Sequence, residues 1–137
     1  MVNSISTSFI RGLLDELGLG TKIDSDGDIV IVFDADSDFK HDVLCFFSVN
    51  DNKWLRIYAT TLIEISQSRV GETLIKLNEY NESNKLMKAY LAKNGRIWVE
   101  RIELIDEDVS EEFIKENCIK LLLPLIWNFF KDNFAKY

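Results

Sequence analysis

The sequence predicts an α+β fold, a largely antiparallel sheet with helices in the order α-β-β-β-β-α-β-β-α. Three observations carry this. Apolar residues recur at helical spacing in three separate segments. Between them lie β-prone runs joined by tight-turn signals, at Asp26-Gly27, Asp51-Asn52 and Asn94-Gly95. Hairpins set apart by helices favour an antiparallel sheet.

The first helix is expected over residues 4–17, where Ile5, Phe9, Leu13 and Leu17 repeat every fourth residue. Gly18 and Gly20 then supply a stop. Lys22-Ile23 and Asp28 to Phe33 flank the Asp-Gly turn. Val43 to Asn50 and Lys53 to Ala59 form a second hairpin. Arg69 to Asn81 reads as the second helix. Lys85 to Lys93 and Arg96 to Leu104 flank Asn94-Gly95, a pair that favours a type I′ turn. The last helix opens at an acidic stretch, with Asp108 and Glu111 as a capping box or Ser110 as N-cap. It runs to about Phe134. Pro124 lies inside it, and its ring conflicts with the Lys120 carbonyl, so a kink or two consecutive helices is expected.

A type I′ turn at Asn94-Gly95 sets the register of the last hairpin. Ala92 then faces Ile97, Leu91 faces Trp98, and Met87 faces Ile102. One sheet face carries Met87, Leu91, Trp98 and Ile102. The other carries Tyr90, Ile97 and Val99 among charged residues. The earlier strands are apolar at nearly every position, and a sheet solvated on one side should alternate. Helices over both faces are the expected cause, and a partner on one face is the other. The terminal helix is apolar nearly all round. Burial against another subunit and a kink around one core explain that equally well.

The chain has 137 residues, which are most simply one domain, 1–137. Area scaling gives roughly 7,400 Å² exposed when folded against about 23,000 Å² unfolded, enough burial for a real core. The net charge of −7 repels polyanions, and no basic cluster offsets it, so nucleic acid is not an expected partner. Two cysteines, Cys45 and Cys118, sit in apolar runs and read as reduced thiols in the cytoplasm. The start of the chain lacks the pattern of a signal peptide. The longest apolar stretch, Leu121 to Phe130, is too short to span a bilayer.

No catalytic, metal or cofactor constellation emerges. His41 and Cys45 would lie roughly 13 Å apart in an extended strand, beyond shared-ligand reach. Asp34, Asp36 and Asp38 begin like a calcium loop, but Phe39 stands where glycine is needed and Cys45 where a bidentate glutamate is needed. Gly18-x-Gly20 follows a helix, whereas a dinucleotide motif follows a strand.

Asn78 and Asn81 share a helix face with Leu74 and Leu77. Amides there need partners. Asn78 is expected to bond backbone near the following hairpin, and Asn81 to help end the helix. The run Leu77-Asn78-Glu79-Tyr80-Asn81, then Lys88-Ala89-Tyr90-Leu91, Asn94-Gly95-Arg96-Ile97 and an acidic helix start, resembles the YbjN family of candidate bacterial sensory transduction regulators. The resemblance implies a type III secretion chaperone-like fold, homodimerisation and binding of protein segments. It implies no catalytic residues.

The function expected is therefore a non-enzymatic protein-interaction domain, chaperone-like or regulatory. Tyr90, Ile97 and Val99 are the candidate partner-binding residues on the sheet, and Trp127 and Phe130 those on the terminal helix. The alternatives are a small-molecule binder or enzyme with a pocket between sheet and helices, and a structural subunit of a larger assembly.

Overall fold

The structure, a computed structural model, describes residues 1–137. Its elements follow the expected order. They are α1 (Thr7–Glu16), β1 (Lys22–Ile23), β2 (Ile29–Phe33), β3 (Val43–Asn50), β4 (Trp54–Thr60), α2 (Val70–Ser83), β5 (Lys88–Leu91) and β6 (Ile97–Leu104). The terminal helical region comprises α3 (Glu111–Phe113), a π-helical stretch (Ile114–Lys120) and α4 (Leu122–Phe134). The six strands form one antiparallel sheet in the order β1-β2-β3-β4-β6-β5. Folding leaves 7829 Å² exposed, close to the scaling expectation.

Local chemistry explains the ends of the helices. Ser6 caps α1, its Oγ accepting the Phe9 N–H at 3.0 Å. Gly18 ends it at φ +76°, with the N–H of Leu19 bonded to the Leu14 carbonyl and that of Gly18 to Asp15. Ser110, rather than Asp108, caps the terminal helical region by accepting the Phe113 N–H. Pro124 sits in the first turn of α4, where a missing N–H costs little. The wider π winding comes just before it, with the Leu121 N–H reaching the Glu116 carbonyl. The helix thus adapts one turn upstream of the proline.

The last hairpin departs from its expected register by one residue. Leu91 pairs with Ile97, Tyr90 with Trp98, and Lys88 with Glu100. The cause lies in the turn. Only Gly95 takes positive φ, +82°, and its N–H bonds the Ala92 carbonyl at 3.0 Å. Ala92 in turn bonds the Arg96 carbonyl. This is a three-residue loop with a glycine bulge, one residue longer than a type I′ turn. The extra residue exchanges the two faces of the strand. The β1–β2 loop closes the same way, with Gly27 at φ +85°. Paired positive φ occurs instead at Asp51 and Asn52, between β3 and β4.

One sheet face is built into the core. Ile29, Ile31, Cys45, Phe47, Leu55, Ile57, Ala59, Ala89, Ile97 and Val99 alternate along the strands and are all buried. Against them pack Leu13 and Leu14 of α1, Leu77 of α2, and Ile126, Phe129, Phe130 and Phe134 of α4. Phe39, from the loop before β3, stacks on Phe130 and meets Trp127 edge-on. The buried part of the apolar terminal region thus packs into the chain's own core, while Phe113 and Leu121 remain exposed. The other sheet face contributes nothing to that core. Helices over both faces were expected; all the packed helices share one.

Candidate functional site

The uncovered face is made by the alternate residues of the same strands. Register places Val30, Val32, Leu44, Phe46, Arg56, Tyr58, Thr60, Trp98, Glu100, Ile102 and Leu104 on it, with Lys88 and Tyr90 from β5. At its centre three aromatic rings lie side by side. Phe46 stacks on Tyr58 with centroids 5.1 Å apart, and Trp98 lies 5.9 Å from Phe46 and 5.7 Å from Tyr58. Such pairs are worth about 0.5–1.5 kcal/mol each beyond their burial. The cluster holds its own shape with no helix above it.

A polar network runs across the aromatic cluster. Arg56 lies over the Tyr58 ring, 4.0 Å from its centroid, and its Nε donates to Glu100 at 2.7 Å. Its Nη2 donates to the Tyr90 hydroxyl at 3.5 Å. Lys88 pairs with the other Glu100 oxygen at 3.1 Å. The Tyr58 hydroxyl donates to the Asp28 carboxylate. Glu100 is buried on an open face because Arg56 and Lys88 close over it. Burial by itself would raise its pKa, but hydrogen bonds from Arg56 and Lys88 outweigh that and hold the carboxyl below the usual range. Burial and the bond to Asp28 push the Tyr58 phenol up.

Four large apolar side chains on the same face are also exposed. Val32 is 45% exposed, Ile102 51%, Leu104 43% and Trp54 37%.

The residues singled out from sequence scatter across the molecule. Tyr90 lies on the open face, half-buried. Ile97 and Val99 do not: the one-residue register shift turns both into the core, where they are fully enclosed. Phe130 is likewise a core residue, packed on Phe39, Phe129 and Phe134. Trp127 lines a separate groove of about 560 Å³ with Leu17, Leu19, Phe33, Leu123 and Pro124. In the helix-end motif Leu77 is buried, but Asn78 is exposed and bonds nothing. Asn81 takes the role expected of Asn78, bonding both backbone groups of Ala89. Asn84 closes the helix by donating to the Tyr80 carbonyl. Asn94 accepts the Arg96 N–H within the turn, and Gly95 carries its positive φ.

Arg56, Tyr58, Glu100, Lys88 and Asp28 carried no local signal in the sequence. They come from three strands and a turn, and only pairing brings them together. The acidic loop is tied up in its own geometry. Asp36 accepts the N–H groups of Asp38 and Phe39, and Asp42 that of Ala35. Both cysteines are buried and unpaired; burial raises the Cys45 thiol, and burial then Glu103 push Cys118 up to about 11. No three histidine, cysteine or acidic side chains converge as a metal site would require. No helix is long and apolar enough to cross a membrane.

No family model matches the sequence, and no curated protein matches it. Among solved structures the chain is similar to the crystal structure of YbjN from E. coli, a candidate transcription regulator. The two share 18% identity and a TM-score of 0.62, covering 85% of this chain and 80% of that one. Identity at that level speaks for architecture alone. The antiparallel α+β sheet with its three helical regions is a YbjN-like fold.

Proposed function

We propose that this chain is a single, non-enzymatic protein-interaction domain with a regulatory or chaperone-like role, which binds a protein partner through the open sheet face. The observation that carries this is the face itself. A rigid sheet presents a self-stacked aromatic centre with an exposed apolar margin, and no element of the chain covers it. Aromatic residues with arginine at the centre of a patch are the composition of protein interfaces. Tyr90 keeps its assignment as a partner-binding residue; Trp98, Phe46 and Ile102 take the place of Ile97 and Val99. The description of YbjN as a candidate regulator supports the regulatory side of the reading. Two buried, unpaired thiols support a reducing cytoplasmic setting.

The test is affinity capture with wild type against Ile102→Glu and Trp54→Glu, both exposed positions whose change leaves the core intact. A partner recovered by wild type and lost by both variants, at unchanged melting temperature, is the expected result. Equal recovery by all three would remove the face from the interaction.

A second reading rests on the apolar groove beside Trp127. Its lining of Leu17, Leu19, Phe33, Leu123 and Pro124 suits a small apolar ligand. A compound retained through purification, seen by native mass spectrometry and lost on Leu123→Trp, would favour it.

A further inference from the structure

We infer that the groove beside Trp127 binds an anionic amphiphile, an alkyl chain that ends in a carboxylate; this rests on the second reading above. Composition is the first argument. Leu17, Leu19, Phe33, Leu123, Pro124 and Trp127 line the groove, and the one charged residue beside them is Lys120. No carboxylate, hydroxyl or amide side chain lines it. A peptide, sugar or nucleotide laid there would leave polar groups without partners, at a cost for each. An alkyl chain has no such groups, and a single negative end matches a single lysine. The volume of about 560 Å³ falls within the range of small-ligand sites.

The order of the lining is the second argument. Lys120, Leu123, Pro124 and Trp127 stand at i, i+3, i+4 and i+7, the spacing of one helix face. They make one wall. Leu17 and Leu19, just past the end of α1, and Phe33, the last residue of β2, make the other. Lys120 and Trp127 mark the two ends of the helical wall, roughly 10 Å apart at about 1.5 Å per residue. The cation thus stands at one end, where a head group meets it while the chain lies along the wall. Between them Pro124 presents no N–H. Lys120 also closes the π-helical stretch Ile114–Lys120, a winding that is rare and recurs at functional sites. Its ammonium pairs with Glu116 at 3.3 Å, both side chains being open to solvent. Glu116 does not line the groove. Such a pair contributes little, so a ligand carboxylate can replace Glu116 at small cost.

Isothermal titration of the full chain with octanoate, decanoate and dodecanoate, each below its micellar concentration, tests this. Affinity should rise along the series, by up to about fourfold per added methylene. Lys120→Gln, an exposed position, should weaken decanoate about fivefold and leave uncharged decanol unchanged. Leu123→Trp and Leu19→Trp fill the groove from either wall and should abolish binding at an unchanged melting temperature. Decanoate and decanol bound alike, with no effect of Lys120→Gln but loss on Leu123→Trp, overturns the acid head group and leaves the apolar-ligand reading standing. No binding of either probe overturns the proposal; a different apolar compound retained through purification would still uphold the groove. Decanoate binding that survives both tryptophan variants lies elsewhere and overturns both readings.

Discussion

The side-chain amide of Asn81 pairs with the backbone of Ala89 as a neighbouring strand would. Its Oδ1 accepts the Ala89 N–H and its Nδ2 donates to the Ala89 carbonyl, each at 2.9 Å. Ala89 lies on β5, the edge of the sheet, so these groups would otherwise face water or another chain. The same bond pins the end of α2 to the sheet.

Asn81→Ala should therefore destabilise the fold by about 1–2 kcal/mol, the scale of one donor and one acceptor left partly unsatisfied. Asn78→Ala should change stability by less than about 0.5 kcal/mol, as an exposed site without a partner. Urea unfolding of both variants checks the contrast. Equal losses would return Asn78 to the structural role expected from the sequence.

Glu100 sets an acid limit on stability. Its folded pKa lies below its unfolded value, because Arg56 and Lys88 outweigh burial. The stabilisation is then complete above the ordinary glutamate range, around pH 4.3, and is lost as pH falls through the folded value. Glu100→Gln should cost about 1–3 kcal/mol at neutral pH, since Arg56 loses a charged partner. Unfolding followed across an acid pH series should show wild type and variant converging below the glutamate range. A gap that persists at the acid end would mean that the charge of Glu100 is not what stabilises.

Gly95 holds the hairpin bulge at φ +82°. An added Cβ would meet only ordinary contacts, the nearest being the Ile65 carbonyl oxygen at 3.6 Å. The cost of Gly95→Ala is thus conformational, about 1–2 kcal/mol. Gly95→Asn should recover part of it, because asparagine tolerates the left-handed region. Thermal melts of the pair decide this; no recovery would point to the packing against Ile65 instead.

Phe130 and Trp127 neighbour each other in register but not in energy. Phe130→Ala empties a fully enclosed site between Phe39, Phe129 and Phe134 and should cost about 3–5 kcal/mol. Trp127→Ala opens an existing groove and should cost less. Comparable losses would show that Trp127 closes the core.

Some errors at the level of sequence share one origin. The expected hairpin differed from the real one by a single residue in a turn, yet that residue exchanged Ile97 and Val99 with Trp98 and Glu100. Asn-Gly fits both the two-residue turn and the bulged loop. The choice between them belongs to the rest of the sheet, where Val99 must lie beside Ala59 in the core and the Ile65 N–H bonds the Gly95 carbonyl. Asn78 and Asn81 show the same limit. Both lie on plausible helix positions, and only the location of β5 decides which amide meets a backbone.

By itself the sequence determined the class, the order of the elements and the positions of the turns. Those follow from periodicity, caps and glycines, interactions within a few residues along the chain. The tertiary structure alone decided which face of each strand is open, and that all the helices pack on the other. It also assembled Arg56, Tyr58, Glu100, Lys88 and Asp28 from distant segments. The physical reason is the two-residue period of a strand. Every face assignment depends on register, and register is set by partners far away in the chain.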